Sequence, residues 1–126
     1  MQRPHGDTLD DLIRQFKQTG ITAVFNLTEP GEHPFCGHSL LPECGFSYSP
    51  EALMAADIKH FNWNWPDMTA PSVPMLHDIV QIARQELDAG GKVAIHCHAG
   101  YGRTGTVAAC LLLQRPLTDA QIHALQ

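Results

Sequence analysis

Residues 92–113, KVAIHCHAGYGRTGTVAACLLL, set the tightest limit on the fold of this chain. Lys92-Val93-Ala94-Ile95-His96 is a short β-rich run that follows the Gly90-Gly91 helix stop and feeds a glycine-rich loop with no spacer. From Arg103 to Leu113 the sequence has no breaker and is apolar on nearly every side, which predicts a buried helix. A strand, a loop and a helix in immediate succession require layered α/β packing, because the helix must cover the sheet its strand enters. The loop then lies where the N–H groups of a helix N-terminus and the helix dipole favour a bound anion.

The rest of the chain repeats this alternation. Thr8 and Asp11, with Leu9, Leu12, Ile13 and Phe16 at helical spacing, predict a helix capped at Thr8 and ended by Gly20. Residues 21–27 read as a strand, and the Pro/Gly-rich stretch from 30 to 50 as one long surface loop of the kind that borders functional sites. A short helix over 51–56 and a strand over 58–63 follow, the strand with Ile58, His60 and Asn62 on one face and Lys59, Phe61 and Trp63 on the other. Ser72 caps the strongest helix, in which Val73, Leu76, Ile79, Val80, Ala83 and Leu87 recur until Gly90. Leu117-Thr118-Asp119 opens a last helix toward Gln126. Helices between strands imply a mostly parallel central sheet flanked on both faces, within a single domain covering residues 1–126.

Two motifs overlap in the loop. Gly100, Gly102 and Gly105 spell the dinucleotide fingerprint, but that site needs a following strand with an acidic residue about 20 positions on, and here Asp119 falls in helix-like sequence near the chain end. Cys97 and Arg103 spell C-x5-R and use more of the residues. A cysteine facing the amides of a helix start has its thiolate stabilised, which makes it a nucleophile near neutral pH. Arg103 presents a planar fork of donors to two phosphate oxygens, which lysine cannot do. The three glycines then serve backbone conformation and close approach.

His96, Cys97, Gly100, Arg103, Thr104 and Gly105 fit one pattern, and six such matches at roughly 5% each would arise by accident in fewer than about one chain in 10^5. The pattern, HC-x2-G-x2-R-[ST]-G, resembles the signature of the cysteine-dependent protein phosphatases, specifically the small dual-specificity branch. The resemblance implies a dual-specificity phosphatase-like α/β fold with the signature loop at the carboxyl edge of the sheet. It implies hydrolysis of a phosphorylated protein or another phosphomonoester. Cys97 would attack phosphorus to form a phosphocysteine and Arg103 would hold the transferring group. Thr104 would stabilise the departing thiolate, and residues 98–103 (His98, Ala99, Gly100, Tyr101, Gly102, Arg103) would form the phosphate-binding loop. Trp65-Pro66-Asp67, with Asp67 lying 30 positions before Cys97, resembles the family's acid loop and assigns Asp67 as general acid and then base. The plainer alternative has Asp67 capping a turn before Ser72. No metal or organic cofactor is expected, because arginine and amides stabilise the transition state. The family's domain continues with further helices, so the fold is expected to be truncated at Gln126.

His96 precedes the nucleophile on the strand and is expected to point away from the phosphate and order the loop. His98 and Tyr101 either line the pocket mouth or face solvent, and Trp63 and Trp65 either flank the acid loop or pack in the core. His33, Cys36, His38 and Cys44 are zinc-compatible in type but match no standard spacing, so a packed loop of ordinary thiols is expected. All four cysteines read as reduced, Cys110 as packing. A net charge of −5 without a Lys/Arg run excludes a nucleic-acid footprint or polybasic membrane patch, and the apolar run Val107 to Leu113 is too short to span a bilayer. A cytoplasmic monomer is the expectation. The competing function is a pseudophosphatase that captures phosphorylated partners without turnover.

Overall fold

The structure, a computed structural model, describes residues 1–37 and 39–113. Its elements run α1 (Leu9–Thr19), β1 (Ala23–Asn26), α2 (Pro50–Ala55), β2 (Lys59–Asn62), α3 (Val73–Asp88), β3 (Val93–His96) and α4 (Gly102–Leu113), with a single 3-10 turn at Gly6–Thr8 before α1. Among the described residues the sheet has three strands in the order β2-β1-β3, and both pairings are parallel. The helix expected after Leu117 and the residue His38 lie outside the described residues.

β1 is central and wholly buried, and its alternation divides the core. Ala23 and Phe25, with Leu27 beyond the strand, face Ile79 and Ala83 of α3 and Val107 of α4. Val24 faces the other way, toward Leu9 and Phe16 of α1, Leu53 of α2, and Tyr48. The sheet is therefore covered on both faces, as the alternation of elements implied. On β2 the expected split also appears, since Ile58 and His60 lie on the Tyr48 side while Phe61 and Trp63 pack on the α3 side. Trp63 and Trp65 both belong to this core.

Element ends follow local chemistry. Gly20 closes α1 in the left-handed conformation, φ 81°, and the Ser72 hydroxyl accepts from the Met75 amide at 3.2 Å. Two expectations are corrected. Thr8 occupies the N-cap position of α1, but its hydroxyl meets the His5 ring at 3.2 Å instead of a helix amide, because the preceding 3-10 turn carries its backbone out of the extended cap conformation. α4 is not buried all round. Arg103 and Val107 are buried while Leu112 and Leu113 are 63% and 84% exposed, since one side of the helix meets α3 and β3.

The ends of the three strands are polar. Asn26 lies in register with Asn62 on one side and His96 on the other. Its side chain donates to Asn62 Oδ1 at 3.2 Å and accepts from the Thr28 amide and hydroxyl at 2.9 and 2.6 Å, which turns the chain out of the sheet. This carboxyl edge is where open parallel sheets hold ligands.

Candidate active site

β3 delivers His96 and Cys97 to the carboxyl edge, and the chain then winds through residues 98–101 into α4. Cys97 is 3% exposed, at the foot of this loop. Its Sγ accepts from the Thr104 hydroxyl at 3.2 Å. Burial pushes the thiol pKa up, but that hydrogen bond, the Thr104 and Gly100 amides and the Arg103 charge outweigh it, so the thiol lies below its ordinary range. Gly100 has φ 91°, and a Cβ there would meet the Met1 carbonyl carbon at 2.7 Å. Glycine is therefore required at position 100 on both counts. At Gly102 and Gly105 no positive φ occurs and a Cβ would meet no protein atom within 4 Å, so neither glycine is required by backbone conformation or by packing within the chain.

Arg103 is 2% exposed and its guanidinium is almost fully engaged. Nη1 donates to Glu32 Oε1 at 2.6 Å and to the Leu27 and Trp65 carbonyls at 3.2 and 3.1 Å, and Nη2 donates to Glu32 Oε2 at 2.6 Å. The end of the fork is thus clamped on Glu32. Nε is buried without a hydrogen-bond partner, its nearest counter-charge being Asp67 Oδ1 at 3.5 Å. A buried orphaned N–H on a cation is costly unless an acceptor arrives. The Nε side of the guanidinium is the edge left for an anion.

Asp67 follows Trp65, whose buried ring donates Nε1–H to the Thr69 carbonyl at 3.0 Å and so closes a short turn. In this turn Asp67 Oδ1 accepts from the Met68 amide at 2.9 Å and Oδ2 from His33 Nε2 at 2.8 Å. The His33 bond leads in holding the Asp67 carboxyl below the usual range; burial opposes it, and the Arg103 charge and Met68 amide add to it. His98 stacks on His33 with ring centroids 4.3 Å apart, while Tyr101 is 82% exposed and faces solvent. The structure brings Cys97, Thr104, Arg103 and Asp67 into one cluster.

His96 is fully buried and directed away from the cradle. The Cys97 carbonyl can only accept, so Nδ1 donates to it at 3.3 Å and Nε2 accepts from the Tyr48 hydroxyl at 2.6 Å. The phenolic oxygen then accepts from His60 Nε2 at 2.8 Å. Burial keeps both rings neutral, pushing His96 to about 3 and His60 to about 4. An unfolded imidazole titrates near ~6.5, so the unfolded chain binds more protons than the folded one below that pH. Stability is therefore expected to fall as pH drops from about 6.5 toward 4, by about 1.4 kcal/mol per pH unit for each such histidine. Urea unfolding at pH 7, 6 and 5 tests this; a His60→Gln variant with the same slope as the native chain would refute it. Tyr48→Phe, which strands both Nε2 atoms, is expected to cost about 1–3 kcal/mol at pH 7 in the same assay.

The sequence does not indicate that Glu32 binds Arg103, that His33, named there only among zinc-compatible residues, binds Asp67, or that Tyr48 binds His96. The long loop that contains them reads as bordering a site, but nothing in its composition indicates which residues turn inward. Of the zinc-compatible set, His38 lies outside the described residues; among the others, His33 binds Asp67 at 2.8 Å and Cys44 Sγ lies 3.6 Å from the Tyr48 carbonyl. Cys36, Cys44, Cys97 and Cys110 are free thiols. Glu32, His33 and Asp67 have ligand atoms within 4.8 Å of one another, but both Glu32 oxygens are committed to Arg103, and a cation would have to displace the guanidinium. No helix among the described residues is long and apolar enough to cross a membrane.

The family described as the DSP-PTPase phosphatase of polymorphic toxin systems matches residues 1–116. The chain is 45% identical over 115 residues to protein tyrosine phosphatase domain-containing protein 1 of Bos taurus, and 43% over 118 residues to that of Danio rerio. Each alignment covers 90% of this chain but only 14% and 16% of those proteins. Among solved structures, Tk-PTP in its active form superposes with a TM-score of 0.71 at 31% identity, covering 93% of this chain and 68% of that one. The fold expected from the signature loop is thus found, and this chain belongs to the dual-specificity/protein tyrosine phosphatase family.

Proposed function

We propose that the chain hydrolyses phosphate monoesters through a covalent phosphocysteine at Cys97. The observation that carries this reading is the buried Cys97 thiol, stabilised as thiolate by Thr104 and loop amides, in the same cradle as a buried guanidinium whose Nε has no hydrogen-bond partner. A phosphoryl group between them would meet the nucleophile on one side and charge-assisted donors on the other.

Sγ attacks phosphorus as the bond to the leaving oxygen breaks, and Asp67 gives that oxygen a proton. Thr104 holds charge on sulfur when the thiolate departs, after Asp67 has taken a proton from the attacking water. Residues 98–103 wrap the phosphoryl oxygens with their amides, and His96 fixes the loop through the Cys97 carbonyl. The arrangement needs no metal, since the arginine and amides supply the charge stabilisation. The substrate class is a phosphorylated protein or another phosphomonoester.

The test is hydrolysis of 4-nitrophenyl phosphate in EDTA, with acid quenching and mass spectrometry to trap phosphate on the Cys97 peptide. Asp67→Asn is expected to lower kcat/KM about 10^2-fold, the usual contribution of a positioned acid. A folded native chain that shows no turnover and no trapped phosphocysteine would end the proposal, and phosphopeptide binding without turnover would replace it with capture alone.

A further inference from the structure

An acid that must protonate a leaving oxygen needs its own proton at the pH of reaction, yet Asp67 sits where its carboxyl readily loses it. His33 Nε2 lies 2.8 Å from Asp67 Oδ2, and Arg103 Nε lies 3.5 Å from Oδ1. We propose that His33 stores the proton that Asp67 delivers, so that the two side chains act as one proton-holding pair. This rests on the reading of Asp67 as the general acid.

Three elements place His33. Arg3 Nη2 donates to its carbonyl at 3.1 Å, its ring stacks on His98 of the signature loop, and its backbone takes a left-handed φ of 49° that a non-glycine residue adopts only when its surroundings hold it there. The charged and titratable groups facing it come from every packed segment: Glu32 (Oε2 at 3.5 Å) on its own loop, Asp67 on the acid loop, His98 on the signature loop, Arg103 on α4 and Arg3 on the N-terminal segment. Burial, and then the Arg3 charge, hold His98 below the usual imidazole range, so the ring stacked on His33 stays neutral more readily than a free histidine. Glu32 is occupied by Arg103. Asp67 is thus the carboxylate that faces the His33 proton directly.

The proton count closes. In the proposed cycle the pair starts as an imidazolium and a carboxylate. The Nε2 proton crosses to Asp67, giving imidazole and carboxylic acid, and the acid gives that proton to the leaving oxygen as the P–O bond breaks and the S–P bond forms. When water attacks the phosphocysteine, Asp67 takes the water proton and returns it to His33, which restores the starting pair.

His33 is accordingly a positioning and proton-holding residue, and leaving-group dependence reads its role. The experiment compares kcat/KM from pH 5 to 8 for phenyl phosphate, whose leaving oxygen needs a proton, and 2,4-dinitrophenyl phosphate, whose leaving group departs as the anion. His33→Gln keeps a donor to Asp67 but stores no proton, and His33→Asn replaces it if the glutamine variant does not fold. The expected result is a loss of about tenfold or more at pH 7 on phenyl phosphate, with the basic limb moved to lower pH, and a change within about twofold on the dinitrophenyl ester. Equal losses on both esters, or an unchanged phenyl phosphate profile, would overturn the role of His33 in an enzyme that still depends on Cys97. A native chain whose turnover survives Cys97→Ser would overturn the underlying reading with it.

Discussion

Replacing Cys97 by serine is expected to lower the turnover of 4-nitrophenyl phosphate by about 10^4-fold or more while leaving the fold and the anion cradle in place. The two side chains are nearly isosteric, so packing around a residue 3% exposed changes little. The chemistry changes entirely, because the thiolate that the loop amides, Thr104 and Arg103 stabilise has no counterpart in a hydroxyl at neutral pH. Thermal melting should stay near that of the native chain, and phosphate should still protect the protein from unfolding. Residual activity within about tenfold of native would show that another group attacks phosphorus.

Arg103→Met is expected to fail twice, in catalysis and in stability. Loss of the guanidinium removes the charged donor from the cradle and should lower kcat/KM about 10^3-fold. It also leaves Glu32, whose side chain is only 11% exposed, without its bidentate partner, and breaking a buried pair from one side costs about 3–5 kcal/mol. Three elements loosen together, because the same guanidinium ties the Leu27 and Trp65 carbonyls to α4. A double variant, Arg103→Met with Glu32→Gln, removes the stranded charge and should regain part of the lost stability without regaining activity. Strictly additive urea midpoints in this cycle would contradict the clamp.

The clamp changes how the proposed phosphate-binding role of Arg103 is to be read. From spacing alone, Arg103 is a free fork offered to two phosphate oxygens. In the folded protein the end of that fork already belongs to Glu32, and the Nε edge is the part without a hydrogen-bond partner, with the Asp67 carboxylate 3.5 Å away. Glu32 therefore presets the guanidinium, and in the proposed mechanism this would reduce the ordering that phosphate binding must supply. Burial pushes the Glu32 carboxyl up, but the Arg103 bond, the Glu29 amide and the neighbouring charges outweigh it and keep it ionised below the usual range.

The parts that sequence and structure share are those written in contiguous segments. The run from Lys92 to Leu113 carries strand, loop and helix in unbroken order, and Cys97, Thr104 and Arg103 fall together because only residues 97–101 join the strand end to the next helix's first turn. Asp67 was legible for a related reason, since one helix and one strand separate it from Cys97 and a parallel sheet aligns their carboxyl ends. Misreadings came from judging local pattern without its neighbours. α4 reads as buried because its own residues are apolar on nearly every side, while among the described residues only one side meets α3 and β3. Thr8 looked like a helix cap until a 3-10 turn preceded it.

Periodicity, punctuation, one ten-residue signature and the Trp65-Pro66-Asp67 segment thus determined by themselves the layered parallel architecture, the family and the residues proposed to react. Tertiary structure alone decided how those residues are held: Glu32 on Arg103, His33 on Asp67, Tyr48 between His96 and His60. The physical reason is the nature of the 27–49 connection. It has no repeating pattern that would announce which side chains face inward, and its contacts reach residues from 12 to 76 positions away, formed only once the chain closes over the sheet edge.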